Sequence, residues 1–161
     1  MSLVFRRQSN AGFLWVALLS AGAITSALVL QHVFDVQPCP WCVLLRLIFI
    51  ALGIVGIIGW LVQGQRLLRI FTALLALALA LCGVATGLYL HLVASHSSSC
   101  DFTLADKIVM ALGLDHSLPM VFKVGASCDA AVALVLGVPS ALWAVALSVA
   151  SIVVAVKALR R

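Results

Sequence analysis

The sequence predicts an all-α membrane protein, a four-transmembrane-helix bundle with one long polar connection. Three observations carry this expectation: the composition, four apolar runs of bilayer-crossing length, and the segregation of charge along the chain. Of 161 residues, 65% are hydrophobic and only 9% are charged, whereas an ordinary soluble domain carries about 25% charged residues. A globule of that composition cannot cover itself with polar surface, so water is the wrong solvent for it. Disordered, coiled-coil, collagen-like and nucleic-acid-binding chains are excluded on the same ground, because each needs polar residues that are missing here.

A helix crosses a bilayer with about 20 mostly apolar residues. The runs near 11–33, 43–62, 70–93 and 138–156 meet or approach that length. The first, third and fourth contain no Asp, Glu, Lys or Arg, and the second is interrupted only by Arg46. Ahead of the first run, Arg6 and Arg7 followed by apolar residues and Ala21-Gly22-Ala23 imitate a cleavable signal peptide. The apolar character continues unbroken to Val33, so an uncleaved anchor is expected. Polar residues concentrate in a short connection at about 34–42 and a longer one at about 94–137. The longer one opens with the linker-like Ser95-His96-Ser97-Ser98-Ser99. Beyond it, Leu104, Ile108 and Ala111 or Leu112 recur at helical spacing, Asp101 or Thr103 can cap the start, and Gly113 can end it. This pattern predicts a short helix lying parallel to the membrane surface. The whole chain, 1–161, reads as a single integral membrane domain without internal repeats or phosphate-binding glycine patterns.

The formal charge of +5 is a topology signal more than a ligand footprint. Arg6, Arg7, Arg66, Arg69, Lys157, Arg160 and Arg161 fall on one side of the expected bundle, and all five acids, Asp35, Asp101, Asp106, Asp115 and Asp129, fall on the other. Positively charged connections stay cytoplasmic, which places both termini in the cytoplasm and requires an even number of spans. Trp15 and Trp60 then lie near the cytoplasmic ends and Trp41 and Trp143 near the opposite ends, as interfacial anchors or as helix-contact fillers.

Four of the five cysteines, Cys39, Cys42, Cys100 and Cys128, fall on the non-cytoplasmic side. In a bacterial inner membrane that side is the periplasm, where disulfides form and persist. Cys39-Pro40-Trp41-Cys42 is the sharp feature, with its two sulfurs close together where an extended approach meets a helix. Pro38 and Pro40 disfavour helical geometry in the residues before them. Cys42 then sits in the first turn of the second span, where the helix dipole and unpaired N–H groups favour a thiolate. Arg46 follows one turn deeper on the same face. A cation there is costly, about 2.5–3.5 kcal/mol at a helix centre and less near an end, so it needs an anionic or strongly accepting partner. Snorkelling to the headgroups is the simpler alternative for an arbitrary arginine.

One close cysteine pair does not make a structural zinc site, so no metal is expected. Val43 stands where haem attachment requires His. Cys100 and Cys128, 28 positions apart, suit a long-loop disulfide, worth roughly 2–4 kcal/mol as a mere staple. Alternatively, one of them reaches the Cys39–Cys42 pair and exchanges disulfides with it. Cys82, mid-span among apolar neighbours, reads as packing.

These residues together resemble the disulfide bond formation protein B (DsbB) family, the quinone-dependent thiol oxidases of the bacterial inner membrane, which keep the periplasm oxidising together with DsbA. The likeness covers nearly the whole chain. It rests on Gln31-His32-Val33, Pro38-Cys39-Pro40-Trp41-Cys42-Val43-Leu44-Leu45-Arg46, Cys100-Asp101-Phe102, Cys128, and Gly137-Val138-Pro139-Ser140-Ala141-Leu142-Trp143. The resemblance implies that Cys100 is attacked by the reduced thiol of a periplasmic, thioredoxin-fold, DsbA-like partner. It further implies that Cys128 is the mate of Cys100 and exchanges with Cys39. Cys42 then passes electrons to ubiquinone or menaquinone from the membrane pool, with Arg46 polarising a quinone oxygen and His91 beside it. Leu45 departs from the pattern, standing where relatives often carry a polar residue.

Two other readings remain at this stage. One is a non-catalytic membrane protein with structural disulfides. The other is a vitamin-K-epoxide-reductase type of enzyme, in which the loop cysteines precede the CxxC, whereas Cys100 and Cys128 follow it.

Overall fold

A computed structural model of the chain describes residues 2–62, 64–94, 104–111, 113, 121, 134–135 and 137–160. Cys100 and Cys128 lie outside the described residues, as do Asp101, Thr103 and the serine run after Ala94. Four long helices form an all-α bundle: α1 (Ser2–His32), α2 (Pro40–Leu61), α3 (Arg66–Leu92) and α5 (Ser140–Leu159). Each contains an apolar window long enough to cross a membrane. Between α3 and α5 lie a short helix, α4 (Leu104–Ala111), and a two-residue ladder of β1 (Leu134–Val135) with β2 (Val138–Pro139).

The helices do not stop where the apolar runs stop. The second begins at Pro40 and not at Val43, because proline has no N–H to lose in a first turn and its φ already suits a helix. The third begins at Arg66, four residues ahead of the expected boundary. A backbone hydrogen-bond ladder can run on into the headgroup region, where charged side chains are tolerated. The fourth is displaced the other way: Val138 and Pro139, expected to open the span, pair antiparallel with Val135 and Leu134. Gly137 at φ 79° supplies the positive φ that a two-residue hairpin turn requires. Gly113, at φ 61°, lies just beyond α4, where the sequence places the helix stop.

The second helix is the centre of the bundle: 56% of its apolar window is buried, against 17%, 28% and 22% for the other three. It packs against α1, α3 and α4, while α3 packs along α5. Lipid is as apolar as leucine, so burial alone does not hold these helices together, and close backbone approach must contribute. At the α1–α2 contact a Cβ on Gly56 would lie 3.0 Å from both Phe13 O and Ala17 N. At the α3–α5 contact a Cβ on Gly87 would lie 2.7 Å from Val145 Cγ2, and one on Gly83 would meet Ser148. Many large outward-facing side chains are apolar, including Leu18, Ile57, Phe71, Leu81 and Val153. A surface of that kind suits hydrocarbon and not water.

Trp15, Trp60 and Trp143 are exposed on the bundle surface. Trp41 instead turns inward, its ring centroid 4.6 Å from that of Tyr89 at an interplanar angle of 44°. It pins the start of α2 to the end of α3.

Candidate functional site

Pro38 and Pro40 bracket Cys39 and hold it extended, at φ −83° and ψ 165°, as the N-cap of α2. Its sulfur takes the place of the usual oxygen cap and accepts a hydrogen bond from the Cys42 backbone N–H at 3.3 Å. Cys39 is wholly buried and Cys42 half-buried. Both sulfurs therefore sit where the unpaired N–H groups and the dipole of α2 favour negative charge. The sequence places this effect on Cys42 alone, whereas the fold applies it to the pair.

Arg46 lies one turn below Cys42 and is only 6% exposed. It does not snorkel. Nη1 donates to Gln31 Oε1 at 2.5 Å and to the Val121 carbonyl at 2.8 Å, and Nη2 donates to the Ala27 carbonyl at 3.2 Å. Arg46 Nε is buried with no hydrogen-bond partner among the described residues.

Beside these groups opens a cavity of about 450 Å³, a size typical of small-molecule and cofactor sites. The helices α1, α2 and α5 wall it, the 36–38 segment closes one end, and α3 adds Leu90. Its walls are mostly apolar, with Leu19, Ala23, Phe49 and Leu147 running deep, and Cys42 and Arg46 stand together on one side. Trp143 lines it from α5. Such a space fits a quinone on two counts. Apolar walls suit its ring and tail, and a guanidinium on one wall suits its carbonyl oxygen.

Of the residues singled out from the sequence, the fold brings Cys39, Cys42 and Arg46 together. His91 it does not: it is half-buried in the last turn of α3, outside the cavity lining, and its neighbour Leu90 faces the space instead. Successive helix positions are about 100° apart, so one position decides which of the two points inward. Sequence reasoning missed Gln31 as the partner of Arg46. The available signal was that Gln31 is the only amide side chain in the 11–33 run. Cys82 is exposed on the outer face of α3, so it does not fill a helix contact as expected. No group of three or more His, Cys, Asp or Glu among the described residues is arranged to hold a metal.

The family model for disulfide bond formation protein DsbB matches residues 9–158. A disulfide bond formation protein B from Ralstonia nicotianae is 35% identical over 136 residues, 84% of each chain. One from Cupriavidus necator is 33% identical over 155 residues, covering 95% of this chain and 94% of its own. Another, from Pseudomonas syringae pv. tomato, is 33% identical over 130 residues, 80% of this chain and 76% of the relative. Those matches span the apolar helices, the cysteine-bearing approach to α2 and the Arg46 turn alike, and they remove the reading as an inert membrane protein. The chain belongs to the DsbB family of disulfide bond formation proteins, multi-pass enzymes of the inner membrane whose redox-active cysteines are linked to quinone.

Proposed function

We propose that this protein reoxidises the dithiol of a periplasmic, thioredoxin-fold, DsbA-like partner by thiol–disulfide exchange and delivers the electrons to membrane quinone at the Cys42–Arg46 cavity. One observation carries the reading: a sulfur at a helix N-terminus and a buried guanidinium line the same mostly apolar cavity. The order of exchange is the one the family resemblance implies. A partner thiolate attacks the Cys100–Cys128 disulfide at Cys100 and closes its own disulfide, leaving two thiols. Cys128 then attacks a Cys39–Cys42 disulfide at Cys39 and releases Cys42 as the thiolate facing the cavity, and Cys100 closes again on Cys128 to free Cys39, so that the dithiol now stands beside the cavity. The chemistry supplied by a bound quinone, ubiquinone or menaquinone, is uptake of two electrons and two protons, the amount a dithiol surrenders on closing. Arg46 orients the acceptor and stabilises negative charge developing on its oxygen, in a poorly hydrated place where that interaction is strengthened. The apolar walls keep water from the sulfur. His91, which follows the cavity-lining Leu90 in the last turn of α3, is the residue that the family resemblance places near the acceptor.

The bundle would sit with both termini in the cytoplasm and the Cys39–Cys42 end in the periplasm, as the positive charge of 66–69 and 157–161 favours. In that orientation α4, which packs on α2 and contributes Ile108 to the core, lies in the long periplasmic connection along the membrane surface. The test is turnover. Purified protein with a reduced DsbA-like partner and a quinone oxidises the partner, and Cys42→Ser abolishes this while the helical bundle persists by circular dichroism. A Cys42→Ser variant that turns over like the parent refutes the assignment.

A further inference from the structure

Arg46 is satisfied by neutral oxygens alone among the described residues: the amide of Gln31 and the carbonyls of Ala27 and Val121. A carboxylate is the stronger partner for a guanidinium. It also cancels the charge it binds, and an ion pair acts at a distance only as a dipole. Neutral acceptors occupy the N–H groups and leave the whole positive charge in place. Gln31 is 9% exposed and is not among the residues that line the cavity. It holds Nη1 from the α1 side, while Ala27, one turn earlier on the same helix, takes Nη2. Three of the five N–H groups are thus engaged, and Nε, on the chain side of the fork, is the guanidinium nitrogen with no hydrogen-bond partner among the described residues.

We propose that Gln31 is a positioning residue: its uncharged amide oxygen fixes the Arg46 fork while preserving the full cationic charge at the quinone cavity. The inference rests on the quinone site proposed above. It makes a prediction opposite to that of a purely structural role. If Gln31 only anchors α1 to α2, a glutamate of the same length and reach serves as well or better. If the role is to leave the cation uncancelled, glutamate preserves the fold and spoils the site.

The experiment uses the full-length protein in detergent, titrated with ubiquinone-1 and followed by quenching of tryptophan fluorescence, since Trp143 lines the cavity. Unfolding midpoints without quinone are measured alongside, together with KM for ubiquinone-1 and for the reduced partner protein. Gln31→Glu is expected to keep the parental midpoint or raise it. It should bind ubiquinone-1 about tenfold or more weakly, the scale of one charge-assisted hydrogen bond, with KM for the partner protein unchanged. Gln31→Leu leaves the charge but removes one of the three acceptors that fix the fork, so it should weaken binding by less, about threefold. Parental binding by either variant overturns the proposal, so a failure of one to fold leaves the other decisive. A parent protein that does not bind ubiquinone-1 overturns the quinone site itself, an outcome separable from parental binding by the variants.

Discussion

Replacing Arg46 by lysine keeps the charge and removes the fork, and so separates the two properties the site uses. In the parent, two different nitrogens serve three acceptors: Nη1 reaches Gln31 Oε1 and the Val121 carbonyl, and Nη2 reaches the Ala27 carbonyl. Lysine offers a single nitrogen on a shorter stem and cannot span acceptors on α1 and on the segment at Val121 together. At least one charge-assisted bond is therefore lost. Hydrogen bonds to charged groups contribute about 1.5–3 kcal/mol in soluble proteins, but interhelical bonds in membranes average about 0.6 kcal/mol and reach about 1.7. The membrane figures govern here because the unfolded helices still find polar partners. The charge places this site toward their upper end, giving a loss of about 1–2 kcal/mol. Ala27 contributes least to that loss, because its carbonyl also lies within the α1 ladder. Urea-dependent unfolding in mixed micelles measures the stability, and quinone titration of the same preparation measures the site. Ubiquinone-1 affinity should fall about tenfold with the disordered ammonium. Parental stability together with parental quinone affinity in Arg46→Lys would refute the reasoning, since charge alone would then account for everything Arg46 does.

Other outcomes follow from the packing. Gly56→Ala should destabilise by about 1–3 kcal/mol, because its Cβ meets α1 backbone atoms at 3.0 Å that cannot rotate away. Gly22→Ala, with nothing within 4 Å, should be neutral or stabilising by up to about 1 kcal/mol, both read as unfolding midpoints. Ala23→Phe projects a ring into the cavity from α1. It should abolish quinone binding in a fluorescence titration while leaving disulfide exchange with the partner protein at the parental rate. Tyr89→Leu removes the ring on which Trp41 packs and should cost about 0.5–1.5 kcal/mol. The same change should shift the Trp41 emission maximum, as seen by comparing it with Trp41→Leu.

The four spans were legible in the sequence because crossing hydrocarbon is a summed, local property: about 20 apolar residues suffice whatever their neighbours are. The cysteine pair at the start of α2 was legible for a similar reason. Pro38 and Pro40 act on the residues next to them, and Arg46 follows Cys42 by one helical turn. Which face of each helix meets which neighbour was not legible. In lipid both faces of a span are apolar, so the periodicity that betrays the buried side of a soluble helix is weak. Only folding shows that α2 is central, that Gly56, Gly83 and Gly87 mark the close contacts, and that Leu90 and not His91 turns toward the cavity. The partners of Arg46 belong to the same class of fact. Gln31 lies 15 positions before it and Val121 75 after it. No local rule joins them, and they meet because a buried cation must gather acceptors from whichever segments the helix packing delivers.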